Sequence, residues 1–80
     1  MKITVIFKDG RRRVLKAPGE LKNIDKNREA QFVMNNSQVY CGYCDGEVDD
    51  DGNFCVMRTI YGIDLPFNRL LGWCYVIYKK

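Results

Sequence analysis

Histidine is absent from these 80 residues, proline occurs only twice and tryptophan once. Without an imidazole, a cysteine nucleophile has no partner to generate its thiolate near neutral pH, so Cys–His chemistry is excluded. Carboxylates are plentiful but cluster in one polar stretch, where no desolvating surroundings set two pKa values apart as paired-carboxylate catalysis requires. The sequence therefore reads as a protein that is not an enzyme. It also lacks an apolar run near the roughly 18 residues of a transmembrane helix. The opening "MKITVIFKDGRRR" lacks the charged, apolar and small-residue order of a secretory signal. No repeat, low-complexity tract or linker divides it. These absences point to one cytoplasmic domain over residues 1–80, with no membrane association and no cofactor. In a reducing compartment its four cysteines are thiols or metal ligands rather than disulfides.

What is present is charge with a strong local bias. Residues 1–31 carry nine basic and four acidic side chains, 32–63 carry one and five, and 64–80 carry three and one. A domain this small buries about 60% of the surface its unfolded chain exposes, so a partner subunit, a metal or a disulfide is a common aid to stability.

Alternation of apolar and polar residues dominates the chain. In "MKITVIF", Ile3, Val5 and Phe7 fall on one face, the period of a strand. Asp9-Gly10 then turns it, since glycine accepts the positive φ of a tight hairpin, and "RRVLKA" returns as far as Pro18-Gly19. Residues 1–18 thus form an N-terminal β-hairpin. "GELKNIDKNREAQ" holds one short helical turn, with a longer helix through Ala30 as the alternative, because Asn23, Asp25 and Asn27 favour turns. From "FVMNNSQVYCGYC" onward the pattern is β again, with Val39, Cys41 and Tyr43 on one face and Tyr40, Gly42 and Cys44 on the other. "FCVMRTIYG" follows as strand, "IDLPFNR" reads as a loop, and "LLGWCYVIY" is a last strand apolar on both faces. The fold class is all-β with at most one short helix: a small SH3-like or Sm-like barrel or roll of five to six antiparallel strands.

The stretch "CDGEVDDDGNFC" invites a metal reading. Glu47, Asp49, Asp51 and Gly52 fall at the spacing of the first, third, fifth and sixth positions of a calcium-binding EF-hand loop, but the closing bidentate position is Arg58 and strands flank the loop. Zinc would need Cys41, Cys44, Cys55 and Cys74 together, yet strand parity sends Cys41 and Cys44 to opposite faces. Small buried hydrophobes are the alternative role for all four. A β-hairpin with Asp49–Asn53 as its tip accounts for the glycines and aspartates without an ion.

Gly42, Cys44, Gly46, Asp49 and Asn53, followed by Leu71, Gly72 and "WCYVIY", resemble the two-part signature of Sm-like domains over about residues 38–78. That resemblance implies a strongly bent five-stranded barrel that forms rings and binds RNA. One extra residue separates Gly46 from Asp49, Leu71 stands where the family has a basic residue, and Asp51 stands where it places a base-stacking side chain. Those departures remove a stacking contribution of about 1–3 kcal/mol per base and add negative charge.

The expected function is a non-catalytic binding or assembly module that self-associates or takes a protein partner through an exposed strand edge at Trp73, Tyr75 and Ile77. The alternatives are nucleic-acid binding through Lys8, Arg11, Arg12, Arg13 and Lys16, and a zinc-stabilised structural module. Charged hairpin edges more often guard against aggregation than bind phosphate.

Overall fold

The computed structural model describes residues 3–6, 12–58 and 61–76. Among the described residues seven strands follow in order: β1 (Ile3–Ile6), β2 (Arg12–Leu15), β3 (Ala30–Met34), β4 (Val39–Gly42), β5 (Asn53–Met57), β6 (Gly62–Pro66) and β7 (Leu70–Tyr75). All pair antiparallel, in three ladders ordered β1-β2, β4-β3-β7 and β5-β6. Two reciprocal main-chain pairs join the ladders. Lys16 and Trp73 exchange N–H and C=O at 2.7 and 3.1 Å, and Tyr43 and Met57 do so at 2.9 and 2.7 Å. The strands therefore follow one path, β1-β2-β7-β3-β4-β5-β6. Among the described residues no ladder returns from β6 to β1, so the fold is an all-β open roll and not a closed barrel.

Glycine at position 42 makes the roll bend. A Cβ there would sit 2.5 Å from the Met57 carbonyl oxygen and 2.7 Å from Val56 Cγ1, so only a bare backbone lets β4 cross onto β5 this closely. The bend folds two sheets over one core, in which Phe32 meets Phe54 at 5.5 Å and Phe54 meets Phe67 edge-on at 6.4 Å. Ala30, Met34, Val56, Leu65, Leu70 and Trp73 fill the remainder. The short helical turn is present as a 3-10 helix over Pro18–Asn23, which places Leu21 in that core and is followed by buried Ile24. It continues no further, and Asp25 instead accepts N–H groups from Asn27 and Arg28.

The β1-β2 ladder is an integral layer, and the Asp9-Gly10 turn expected to join its strands lies outside the described residues. Leu15 has no exposed surface and packs with Val33 and Cys74 on the second face of the β4-β3-β7 sheet. Gly72 permits the approach, since a Cβ there would lie 2.7 Å from Leu15 Cβ. The segment "IDLPFNR", expected as a loop, is instead β6 followed by a 3-10 turn over Phe67–Arg69. Proline is tolerated there because β6 is an edge strand and the missing N–H of Pro66 lies on its unpaired side.

The acidic stretch closes as a hairpin tip. Val48 bridges Phe54, Asp49 N–H donates to Asn53 C=O, and Gly52 adopts φ +81°. Asp49 Oδ1 accepts from the N–H groups of Asp51 and Asn53, so its carboxylate is engaged in shaping the turn.

If the hairpin is part of the core, Leu15→Ala removes a fully buried side chain and costs about 2–5 kcal/mol. Urea unfolding should show a lower midpoint with an unchanged slope, whereas a loss below about 0.5 kcal/mol would mark the hairpin as an appendage.

Candidate functional site

Two regions gather the side chains singled out from the sequence: the seam between β2 and β7, and the outer face of β4, β5 and β6. At the seam, antiparallel pairing sets Lys16 beside Trp73 on one side of the sheet. The Lys16 ammonium lies 5.8 Å from the Trp73 ring centroid. Trp73 meets Tyr75 edge-on at 5.2 Å, and the Arg28 guanidinium stacks on Tyr75 at 3.9 Å. The Tyr75 hydroxyl accepts the Asp25 N–H at 2.9 Å. The result is a ladder of cation, indole, phenol and cation, in which each contact contributes about 0.5–1 kcal/mol.

This ladder changes the standing of the residues expected at a partner edge. Trp73 is only 1% exposed, and the main-chain groups it turns away from β3 are bonded to Lys16. Its edge is occupied within the chain. Tyr75 is half-buried beneath Arg28, and Ile77 lies outside the described residues. Of the basic series, Lys8 and Arg11 also lie outside them, Arg12 is exposed, Arg13 is half-buried and Lys16 caps the indole. The aromatic faces nearest these cations are thus covered rather than open for base stacking.

The cysteines do not converge on one centre. Cys41 and Cys74 flank Gln31 in a row across the β4-β3-β7 sheet, and the Cys74 thiol donates to Gln31 Oε1 at 3.7 Å. Two flanking strands lie about 9.5 Å apart, beyond the roughly 7 Å limit for a disulfide, and all four cysteines are free. Cys44 lies just beyond the same end of β4 with its side chain in the core, and Cys55 lies on β5. Among the described residues no three histidine, cysteine, aspartate or glutamate side chains are arranged to hold a metal ion. This separation removes the basis for a four-cysteine zinc site.

Burial pushes the Cys44 thiol above its ordinary value, with the Asp45 and Cys55 charges adding to the shift and the Gly46 N–H at 3.3 Å opposing it. Burial also raises Cys74, against the nearby Arg13 charge. Cys55 is raised by partial desolvation and then by the carboxylates of Asp64 and Asp45. Raised thiols are the reverse of what a nucleophilic cysteine needs.

A region that sequence reasoning passed over is the β6 edge. Met57 turns both its main-chain groups to Tyr43, so alternation along β5 directs those of Val56 and Phe54 to their β6 partners Ile63 and Leu65. The Arg58 N–H bond to Tyr61 C=O has the same phase. Gly62 and Asp64 consequently aim their N–H and C=O away from β5, with no strand beyond them among the described residues. Exposed large side chains lie along this end of the sheet: Tyr61 at 53% adjoins Gly62, Met57 at 50% is one strand in from the edge and Tyr43 at 44% two strands in. Only the register of Met57 against Gly62 reveals this arrangement, and composition carries no trace of it.

Compared with family models, curated proteins and solved structures, the chain matches none.

The thiol shifts fix the sign of a pH dependence. An unfolded thiol titrates near 9.0 and the folded Cys44 and Cys74 above it, so between those values the native state holds more protons. Their stabilisation is complete below about pH 9 and is lost as pH rises through the folded values. Urea midpoints followed from pH 7 to 11 should fall less steeply for a Cys44→Ala, Cys74→Ala variant than for the parent; parallel curves would contradict the assignment.

Proposed function

We propose that the protein is a non-catalytic binding module that accepts an extended segment of a protein partner along β6. The observation that carries this reading is the outward direction of the Gly62 and Asp64 main-chain groups, with the exposed Tyr61 side chain adjoining Gly62. In strand addition, main-chain hydrogen bonds supply affinity and alternating side-chain contacts supply specificity. The partner is another protein or, as self-association, a second copy of the chain. Asp64 and Pro66 give the edge one charge and one missing donor, two devices that stop strand pairing from propagating. The edge is therefore suited to one short segment rather than to a growing stack. Raised thiols and a tip whose Asp49 carboxylate is engaged in turn hydrogen bonds support the non-catalytic part of the reading.

Asp64→Pro tests the edge directly, because it deletes an outward N–H in an edge strand, where proline is tolerated. Peptides selected from a random extended library on the wild-type protein should bind the folded Asp64→Pro variant at least tenfold more weakly, a loss of about 1.4 kcal/mol. Asp64→Ala, which keeps the N–H, should bind within about threefold of wild type. Equal binding by wild type and Asp64→Pro would place the partner surface elsewhere.

Nucleic-acid binding is the second reading, favoured by the cations Arg12, Lys16 and Arg28 at or beside the seam. Because the nearby rings are covered, such binding would be electrostatic and independent of sequence, in contrast to the stacking that the Sm-like resemblance implies. Titration of labelled RNA and single-stranded DNA at 50 and about 200 mM salt should then show affinity collapsing with salt. Absence of binding at the lower salt removes this reading.

A further inference from the structure

Alternation along β5 puts Cys55 and Met57, two residues apart, on the same outer face. Their sulfurs approach to 3.5 Å. Opposite them on β6 stand Asp64 and Gly62 respectively. A Cβ on Gly62 would lie 2.8 Å from Met57 Sδ and 3.0 Å from Cys55 Sγ, so both sulfurs converge over the one position of that strand with no side chain. Any other residue there would displace them. The adjoining cleft, of about 230 Å³, is lined by Lys26, Tyr43, Cys44, Asp45, Cys55 and Met57. A third sulfur-bearing residue thus borders the same space, and the Asp45 and Asp64 carboxylates are close enough to bias the Cys55 thiol.

We propose that Cys55 and Met57, cradled over Gly62 with Cys44 in the adjoining wall, form a binding site for a soft monovalent cation, Cu(I) or its analogue Ag(I). Thiolate and thioether are the donor pair that selects Cu(I), whereas calcium and magnesium require oxygen cages. Two sulfurs bound to one ion at about 2.3 Å lie about 4.6 Å apart in line, or about 4.0 Å with Cys44 as a third donor, so the 3.5 Å pair must open by about 0.5–1.1 Å, a movement the half-exposed Met57 side chain allows. On binding, the Cys55 thiol releases its proton to solvent, the thiolate and the Met57 thioether each donate a lone pair, and the ion keeps its +1 state, so no electron is transferred. The two carboxylates make the rim anionic, which favours a cation and makes it compete with the thiol proton; Lys26 supplies the single opposing charge on the cleft. Affinity therefore increases with pH. Filling this cradle and adding a strand to β6 are separate events, with separate readouts.

The test is anaerobic titration of the reduced, full-length protein with Cu(I) in competition with a chromogenic Cu(I) chelator, and with Ag(I) by calorimetry. One ion per chain is expected. Met57→Leu preserves side-chain volume, and the side chain is half exposed, so the variant should keep its fold. It should bind at least tenfold more weakly, and Cys55→Ser at least a hundredfold. Cys41→Ser, on the same outer face but outside the cleft that Cys55 lines, should bind as the parent does. X-ray absorption at the copper edge should report a first shell of sulfur alone. Equal affinity of Met57→Leu and the parent, an equal loss in Cys41→Ser, or a shell dominated by nitrogen or oxygen would each overturn the proposal.

Discussion

The reciprocal main-chain pair between Tyr43 and Met57 is the constraint on which the rest of the structure depends. It forms only because Gly42 has no Cβ to strike the Met57 carbonyl, and it is the reciprocal link between the β4-β3-β7 and β5-β6 ladders. Three consequences follow from those two hydrogen bonds. The sheets fold over one another, so Phe32 and Phe54 share a core. The phase of β5 is set, which sends Phe54 and Val56 inward and leaves Cys55 and Met57 on the outer face. That same phase turns the main chain of Gly62 and Asp64 away from the protein.

The Lys16–Trp73 pair is its counterpart at the other end of the roll. It seals what would otherwise be the open edge of an apolar final strand, in keeping with the need of natural sheets to cover such edges. It also engages Lys16, one of the cations that, read from sequence, were available to a phosphate backbone. Lys16 lies over the indole and Arg28 over Tyr75. Thus the basic N-terminal segment contributes to folding through Leu15, the Lys16 main chain and two cation–aromatic contacts. The fold hides one edge and exposes another, and that choice decides where a partner can dock.

Much of this was legible from period-2 alternation. The facing of Val39, Cys41 and Tyr43 against Tyr40, Gly42 and Cys44 and the tip at Asp49–Asn53 agree with the structure, because side-chain direction in a strand is a local property. The single helical turn was also local, since Asn23 and Asp25 favour turns over a helix interior. Pairing between distant segments was not legible. Pro66 made β6 look like a loop because a proline excludes only a central strand, and the sequence does not say which strand is central. Likewise, nothing local places Lys16 against Trp73 or Gly62 under two sulfurs. Those juxtapositions join residues 57 and 7 positions apart or less, yet they are set by register, which belongs to the whole sheet.

Residue-resolved amide hydrogen exchange on the free protein tests the central claim most directly, because it reads each main-chain donor separately. The account predicts that the amides of Lys16, Tyr43, Met57 and Trp73 exchange as slowly as those in the middle of β3, while the amides of Gly62 and Asp64 exchange rapidly. Slow exchange at Gly62 and Asp64, or rapid exchange at Tyr43 and Met57, would contradict both the strand order and the open edge derived from it.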